Sequence, residues 1–382
     1  MFMEDIHSKA IKKLDDFINH DLPQYSRDRN YDFGTTRRNN VSMLSKYISH
    51  RIINEYSVVK KSLDRYKFNK IEKYIQEVFW RIYWKGWLEH RPKVWNDYLN
   101  HSVKNVDNEV LEKAHSGTTN IECFNDWVDE LKSTNYLHNH TRMWFASIWI
   151  FTLDLPWQLG ANFFMKHLYD GDAASNTLSW RWVAGLQTIG KHYVATSSNI
   201  SKFTNGKYKP KNLNEDAEPM ESSMTYDINE LNFINLNSGN KNLIIFENNL
   251  DVDFITKIKD KYENIYFALL SNDKRVLKLS ENVMTYKKLL VEDISRKFTG
   301  SSIVVDDELI SLLKSNSSFD VIYPFVGENL SFINNHSVSD HLNFIYLDDD
   351  IHCLQFCKKG FFNFKKNIPS IVKNIINRDQ LF

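Results

Sequence analysis

Between residues 136 and 182 the chain combines side chains that suit neither an ordinary apolar core nor an ordinary solvated surface. Asn139 and Arg142 share one face of a predicted helix with Met143, because residues three and four positions apart are neighbours there. If the chain after Asp172 is helical, every fourth residue from there, Asn176 and then Trp180, belongs to a second stripe. Amides, carboxylates, a guanidinium group and indoles in this arrangement predict a pocket for a large, polar, aromatic ligand.

The elements that would hold these side chains are predicted to be helices. Apolar residues recur at helical spacing through most of the first half of the chain, and strand signals are almost absent before residue 190. Residues 26–40 are polar and loop-like. Helices are predicted at 4–20, 42–60, 68–89, 107–115, 121–135, 138–152, 157–169 and 172–186.

The second half of the chain has a different pattern. Residues 203–241 are rich in Asn, Ser, Glu, Asp and Lys, a composition typical of a linker or a surface excursion. Short β-rich runs then alternate with helical stretches, which predicts a parallel α/β sheet. No glycine-rich nucleotide motif accompanies it, so no nucleotide site is predicted there. The predicted strands are Asn242–Phe246, Asn264–Leu270, Ser302–Val305, Asp320–Pro324 and Leu342–Leu347.

These patterns predict a multidomain α and α/β protein. We expect an all-α domain at 1–213, a linker or surface excursion at 214–241 and a small parallel α/β domain at 242–382. The charges agree with this division. The chain has 48 basic and 48 acidic residues, of which the first domain holds 30 basic and 23 acidic and the remainder holds 18 basic and 25 acidic. The first domain, with a net charge of +7, is suited to binding a polyanion, whereas the remainder, with a net charge of −7, is not.

The composition also limits the class of protein. No secretory signal and no membrane span are apparent, so a cytoplasmic protein without a membrane partner is expected. The chain has three cysteines, too few for a four-thiolate iron–sulfur cluster. Cys353 and Cys357 are interpreted as two reduced thiols rather than as a metal or redox pair, and no metal site is predicted.

The ordered motifs resemble the flavin-binding domain of the DNA photolyase/cryptochrome family. LHN, RM, DGD, N and W-x-W follow one another in residues 136–182 as they do in that family, and weaker matches extend from about Tyr25 to Tyr193. The HNH triplet at 138–140 is not read as a nuclease motif, because that motif needs a strand-rich metal-binding context. Known photolyases carry an α/β domain, often with an antenna pigment, before the helical domain. The sheet predicted here is either a permuted counterpart of that domain or unrelated to it.

The resemblance implies FAD as the cofactor. Residues 41–45 take the place of the family's phosphate clamp, with Val41 replacing the usual threonine. Arg142 and Asp170 would form a buried ion pair beside the flavin ring, and Asn176 would face flavin N5. The cofactor-binding residues implied are Tyr25, Ser42, Met43, Leu44, Ser45, Arg81, Asn139, Arg142, Asp170, Asp172 and Asn176.

A substrate wall is implied by residues 77–83, which resemble the family's E-L-x-W-R-E-F-Y helix. Glu77 would hydrogen-bond a DNA lesion, while Trp80 and Trp182 would be opposite stacking walls for a flipped-out pyrimidine dimer. Asn139 and Met143 stand where (6-4) photolyases place histidines, so that reaction is disfavoured. The substrate-binding residues implied are Glu77, Trp80, Met143, Trp182, Arg29 and Lys191, with Arg37, Arg38, Lys202 and Lys207 as further candidates for phosphate contacts.

A chain of tryptophans that reduces the flavin in light is also implied. Trp180 and Trp157 match its two inner members, but its outer position aligns with Lys104. The third carrier must therefore lie elsewhere, with Trp95, Trp84 and Trp87 as the candidates. The residues implied to be catalytic are Trp157, Trp180, Asn176 and Glu77.

The function implied is that of a deoxyribodipyrimidine photolyase-type lyase, which repairs cyclobutane pyrimidine dimers in DNA by light-driven electron transfer from reduced FAD. The main alternative is a cryptochrome-like blue-light photoreceptor that binds FAD without repair activity. Val41, Tyr136, Ala195 and the missing outer tryptophan favour it slightly. A flavin-dependent activity on another substrate is a third possibility. Damaged DNA is the expected partner, a monomer is the expected state, and the sequence identifies no antenna pigment.

Overall fold

The computed structural model describes residues 5–102, 106–188, 190–315, 317–336 and 342–378. In these ranges a helical unit is followed by an α/β unit, as the sequence predicts. The helices of the first unit are α1 (Ile6–His20), α2 (Tyr25–Asp28), α3 (Ser45–Ile48), α4 (Glu55–Arg65), α5 (Phe68–Glu89), α6 (Lys93–Leu99), α7 (Asn108–Ser116), α8 (Glu122–Thr134), α9 (Asn139–Ser147, continued by a π-helical turn at Ile148–Thr152), α10 (Trp157–His167), α11 (Ala173–Ala184) and α12 (Ser197–Phe203).

Most predicted helices are present, but two predictions for the first half are wrong. The single helix predicted at 42–60 is two helices, because Arg51 has a left-handed backbone (φ +53°) and the Asn54 side chain caps the start of α4. The polar stretch predicted as a loop at 26–40 begins inside the one-turn helix α2. The longest helix, α5, has the predicted bounds.

The second unit is a parallel sheet of five strands in the order β3-β2-β1-β4-β5. From β1 the chain adds β2 and β3 on one side of the sheet and then β4 and β5 on the other side, so the topological switch lies between β1 and β4. The strands are β1 (Asn242–Phe246), β2 (Asn264–Leu269), β3 (Ser302–Val305), β4 (Phe319–Ile322) and β5 (Leu342–Ile345), and the helices are α13 (Val252–Ile258), α14 (Glu281–Ser295), α15 (Asp306–Leu313), α16 (Glu328–Asn335), α17 (Asp348–Leu354), α18 (Phe361–Lys365) and α19 (Ile368–Arg378).

Alternation along β1 gives the sheet two different faces. Leu243 and Ile245 join a large core that is continuous with the helical unit, whereas Ile244 and Phe246 join a smaller core on the opposite face. Successive strand residues point to opposite faces, so one five-residue strand belongs to both cores. The sheet is therefore packed directly against the helical bundle.

Buried polar contacts join the two units. Arg51, which is fully buried, donates two hydrogen bonds of 2.6 and 2.7 Å to the carboxylate of Asp350. Tyr56 donates to the same carboxylate at 2.9 Å. Asn54 donates to Asp251 at 2.7 Å, which adds a further contact across the interface.

The stretch predicted as a linker is an extended strap. Residues 204–241 contain no helix or strand, yet their backbone is held by both units. On the helical unit, the amide of Met220 donates to the carbonyl of Ala184, and that of Asn229 donates to the carbonyl of His90. On the α/β unit, the amide of Glu263 donates to the carbonyl of Lys241. The domain boundaries at 213 and 241 stay a prediction. Within the described residues, no helix combines the length and apolar character needed to cross a bilayer.

Candidate functional site

Two adjoining cavities lie inside the helical unit, with volumes of about 320 and 410 Å³. Both are within the size range of small-molecule sites. The first is bordered by the loop before α3, and the second by α11. Their common wall is formed by Asn30, Glu77, Arg81, Asn139, Arg142, Met143 and Asp170.

The first cavity has a polar rim that a local chain constraint helps to shape. Met43 adopts a left-handed backbone (φ +54°) in the loop that leads into α3. Such a conformation costs energy in a residue other than glycine and persists where its surroundings impose it. Ser42 of this loop, Ser45 at the start of α3 and Tyr25 of α2 line the cavity. Arg29 lines the same cavity.

A buried carboxylate lies where the two cavities meet. Arg142 donates to Asp170 at 2.9 Å, and the guanidinium of Arg81 lies 3.8 Å from the same oxygen. Burial alone would raise the pKa of Asp170, but the charges of both arginines and the hydroxyl of Ser45 outweigh it and hold this pKa below its ordinary value. Asp170 is therefore an anion at neutral pH.

Two buried polar atoms at this junction are left without partners in the part of the chain described. They are Oδ1 of Asp170 and Nη1 of Arg81. A buried polar atom without a hydrogen bond is costly, so such atoms usually indicate a missing ligand or water. Both residues line both cavities.

The second cavity combines an amide with aromatic rings. The side-chain nitrogen of Asn176 donates to the carbonyl of Ala161 at 2.9 Å, which leaves its oxygen as the group available to a ligand. Trp180 packs so closely against α10 that a Cβ atom at Gly160 would lie 2.2 Å from the indole. Only glycine fits at that position. Trp182 lines the same cavity, where its ring stacks on Tyr193 at 5.7 Å.

Glu77 and Trp80 lie on α5 at the wall of this cavity. Burial among the cavity walls raises the pKa of Glu77, although Arg29, 3.7 Å away, opposes this. One face of the Trp80 indole is covered by the ring of Phe361, with centroids 3.6 Å apart and planes 9° from parallel. Phe361 belongs to the α/β unit and does not line the cavity.

A separate group of aromatic side chains surrounds Trp157, which does not line either cavity. Its ring stacks on that of Tyr98 with centroids 5.5 Å apart. Tyr98 in turn lies 5.5 Å from Trp95 and 6.1 Å from His101. Among the carriers suggested by the sequence, Trp95 therefore adjoins this array. Trp84 instead lies beside Trp80, and Trp87 packs beneath Arg91; Lys104 lies outside the described residues.

Several predicted site residues are not brought to the two cavities. Asp172 caps α11 by accepting a hydrogen bond from the amide of Ser175, and it borders a separate cavity of about 60 Å³ beside the sheet. Lys191 and Lys202 are exposed on the surface. The expectation that Arg38 is an exposed phosphate contact is wrong, because its largely buried guanidinium is paired with Glu130 and Asp32.

Sequence reasoning missed other residues of the site. Tyr74 and Tyr136 line the first cavity, and Phe361 supports the wall of the second. Helical spacing places Tyr74 three residues before Glu77, on the same side of α5, so Tyr74 could have been predicted as a site residue from the sequence. No sequence signal relates Phe361 to Trp80, because the two residues are 281 positions apart.

The donors fit a dinucleotide carrying an aromatic ring system. Arg29, Arg81 and Arg142 border the first cavity and suit a pyrophosphate, since guanidinium groups bind phosphate oxygens with two parallel hydrogen bonds. The amide and indoles of the second cavity suit a planar heterocycle. The described residues contain no group of three His, Cys, Asp or Glu side chains placed to hold a metal ion.

Comparison with known proteins agrees with this chemistry. A family model described as the FAD binding domain of DNA photolyase matches residues 74–216. A deoxyribodipyrimidine photo-lyase of Buchnera aphidicola is 30% identical over 199 residues, which are 50% of this chain and 40% of that protein. The corresponding protein of Neurospora crassa is 28% identical over 190 residues, or 47% of this chain and 30% of that one.

The solved structures that are similar include a bacterial class III photolyase from Agrobacterium tumefaciens. It is 27% identical, with a TM-score of 0.46, over 52% of this chain and 42% of that one. The chain thus spans less than half the length of each of these three relatives. The matched residues contain most of the walls of both cavities, so the part of the chain that is similar to the FAD binding domain of DNA photolyase is also the part that forms the candidate site.

Proposed function

We propose that the protein binds FAD across the two cavities and repairs cyclobutane pyrimidine dimers in DNA in a light-driven reaction. The observation that supports this most directly is the junction at Asp170. Two adjoining cavities meet there at a buried ion pair that keeps unpaired polar atoms, as a ligand spanning both would require.

In this proposal the first cavity holds the pyrophosphate and the second holds the ring system. Bound FAD, once reduced and excited by light, supplies the electron that splits a dimer. The residues of the chain hold and orient the cofactor. Arg142 and Arg81 balance the charge of Asp170, so that a fixed anion can accept hydrogen bonds from the ligand without drawing water into the site. Asn176 offers an oxygen without adding a titrating group.

The wall formed by Glu77 and Trp80 would hold the dimer. Burial raises the pKa of Glu77, and its carboxyl group would hydrogen-bond the damaged base. Because Phe361 covers one face of Trp80, a pyrimidine can stack only on the rest of its indole. Trp182, on α11, would be the opposite aromatic wall. Stacking on aromatic side chains contributes roughly 1–3 kcal/mol per base.

The test is a repair assay with the full chain. Purified protein should release FAD on denaturation and, after chemical reduction, should remove dimers from an oligonucleotide under near-UV or blue light. Identical samples kept in the dark are the control. Protein without extractable flavin would contradict the first part of the proposal, and flavin-loaded protein without light-dependent repair would contradict the second.

A second candidate function is a photoreceptor that binds FAD without repair. The observation that favours it is the position of Ala195, where the family resemblance leads us to expect a basic phosphate contact. Its side chain is buried, and its amide donates to the hydroxyl of Ser147. This function predicts normal light-driven flavin reduction together with no dimer loss, which the same assay distinguishes.

A further inference from the structure

We propose that residues 358–366 of the α/β unit, here called the KKGF segment, form a DNA-contacting element beside the substrate cavity. In this arrangement Phe362 packs against the bases next to the lesion, and Lys359 and Lys366 bind backbone phosphates. The inference rests on the proposed function, because it assumes that a dimer is flipped into the cavity lined by Trp80.

The first observation is that the KKGF segment is fixed against the cavity wall. Phe361 stacks on Trp80 and makes an edge contact with Tyr83 at 5.4 Å. Phe364 is fully buried and packs against Phe79 on the same helix. Two of the three phenylalanines in the segment are thus anchors on α5. The direction of the remaining one is set by the fold rather than by a free loop.

The second observation is the exposure of the third phenylalanine. Phe362 is 81% exposed, more than any other exposed large hydrophobic side chain in the described residues, and it is the one aromatic ring among them. Leu236, the next, is 65% exposed. An apolar ring held in water beside a rigid cavity wall is suited to a partner that supplies flat apolar surfaces.

The third observation is the charge of the KKGF segment. Four of the 18 basic residues of the acidic second half lie within these nine positions, with no acidic residue among them. Lys358 is paired with Glu230 at 2.6 Å, and Lys365 lies 3.8 Å from Glu72 on α5. Lys359 and Lys366 are exposed and pair with no carboxylate in the part of the chain described. Two cations thus remain available to phosphates.

A nucleic acid strand fits these three features together. DNA offers phosphates at regular spacing and flat bases, and proteins that deform DNA often insert an apolar side chain between base steps. A dimer that leaves the stack also leaves a gap that needs filling. A second copy of this chain does not fit as well, because the same lysines would have to face each other across a symmetric interface.

The experiment compares variants of the full, flavin-loaded chain by fluorescence anisotropy with labelled duplexes. One duplex carries a single cyclobutane dimer and the other has the same sequence undamaged. Phe362→Ala is matched with Leu289→Ala, which shortens another exposed apolar side chain of the α/β unit. The double change Lys359→Ala and Lys366→Ala is matched with Lys314→Ala, an exposed lysine at the end of α15.

We expect Phe362→Ala to weaken binding of the damaged duplex by roughly tenfold, within the range typical of removing one base–aromatic stack. Leu289→Ala should bind like the parent chain. The double lysine variant should weaken binding of both duplexes. Its slope of log K against log salt should be shallower by roughly 1.8, or ~0.9 for each phosphate that the variant does not neutralise. The Lys314→Ala slope should equal that of the parent chain.

The outcomes separate this inference from the proposed function. If the parent chain repairs dimers but Phe362→Ala binds the damaged duplex as Leu289→Ala does, the inference is wrong and the proposed function stands. If Phe362→Ala changes the sedimentation of the chain but not its DNA affinity, the surface joins two copies and the inference is also wrong. If the parent chain shows no preference for damaged DNA and no repair, both are overturned.

Discussion

The two units of this protein each have a place where a ligand could bind, but only one of them is open. In doubly wound sheets ligands bind beyond the carboxyl ends of the strands, at the topological switch. Here that crevice lies between β1 and β4, and its cavity measures about 60 Å³, enough for a few water molecules. The cavities of the helical unit measure about 320 and 410 Å³.

The polar side chains explain this difference. In the crevice, Arg275 donates to Glu247 at 2.5 Å, and the carboxyl group of Glu89 accepts from the Tyr323 hydroxyl and the Val326 amide. Glu89 comes from α5, so the helical unit itself fills the crevice. Buried polar atoms without partners occur in both places, Oδ1 of Asp170 in the bundle and Oε2 of Glu247 in the crevice. The difference is that Glu89 of the helical unit occupies the crevice, whereas the two cavities of the bundle keep their volume.

The largest effect should come from the carboxylate at the junction of the open cavities. We expect Asp170→Ala to leave two arginines without their buried counter-ion, which costs about 3 kcal/mol and weakens flavin binding by roughly 100-fold or more. The flavin absorbance of the purified protein measures this. Asp172→Ala is the matched control, because it removes a helix cap worth about 1 kcal/mol beside the closed crevice. Equal flavin loss in both variants would contradict the assignment of the two cavities.

The contacts between the units should give a comparable effect, on stability rather than on flavin binding. Asp350→Ala leaves the fully buried Arg51 with Glu55 as its remaining counter-ion, and we expect unfolding to require about 3 kcal/mol less free energy. Urea denaturation measures the loss. Asp348→Ala, at an exposed position of the same helix, should change stability by less than about 1 kcal/mol. Similar values for both would mean that the α/β unit is joined to the bundle mainly by apolar packing.

These contacts also define what the sequence could predict. The five strands and α5 were predictable, because apolar runs and helical spacing are local signals. The break between α3 and α4 was not. It depends on Arg51, whose backbone conformation accompanies an ion pair with a residue 299 positions away. Single-sequence patterns carry no information about such a partner.

The residues of the candidate site likewise include some that could be predicted from the sequence and some that could not. Arg142 and Asp170 were predicted to form an ion pair, and they do. Both lie within the motifs of residues 136–182, Arg142 on α9 and Asp170 in the turn before α11. Asp172 is two residues further on, yet it faces the sheet. Its direction is set by the capping hydrogen bond to Ser175 and by the position of the second unit. The support of Trp80 by Phe361 depends on that position as well.

A smaller, pH-dependent effect is expected from the filled crevice. Burial raises the pKa of Glu89 to about 7 from an ordinary 4.5, so the folded chain binds this proton more tightly than the unfolded chain. The contribution of Glu89 to stability therefore falls as the pH rises from about 4.5 to 7, by roughly 3 kcal/mol in all. Glu89→Gln imitates the protonated carboxyl group. The amide nitrogen of the glutamine can donate to the Tyr323 oxygen, while its amide oxygen accepts from the Val326 amide.

The measurement is the free energy of unfolding of both proteins at pH 5 and pH 8. We expect the two to be nearly equal at pH 5, and Glu89→Gln to be the more stable at pH 8. A constant difference across this range would show that Glu89 is ionised in the folded chain at both pH values. Glu130, whose pKa burial also raises to about 7, is present in both proteins and cancels in the comparison.

The smallest effect should come from the aromatic array of Trp157, Tyr98 and Trp95. If Trp157 relays electrons between Trp180 and Tyr98, Trp157→Phe should slow light-driven reduction of the bound flavin on the order of tenfold, equivalent to about 1.4 kcal/mol in the barrier. Trp127→Phe is the control, since that buried indole stacks on Trp144. The rate of bleaching of flavin absorbance under blue light, with a thiol as the external reductant, measures the effect. Equal rates in the two variants would exclude Trp157 from the relay and leave Trp84, which lines the cavity beside Trp80, as the next carrier to test.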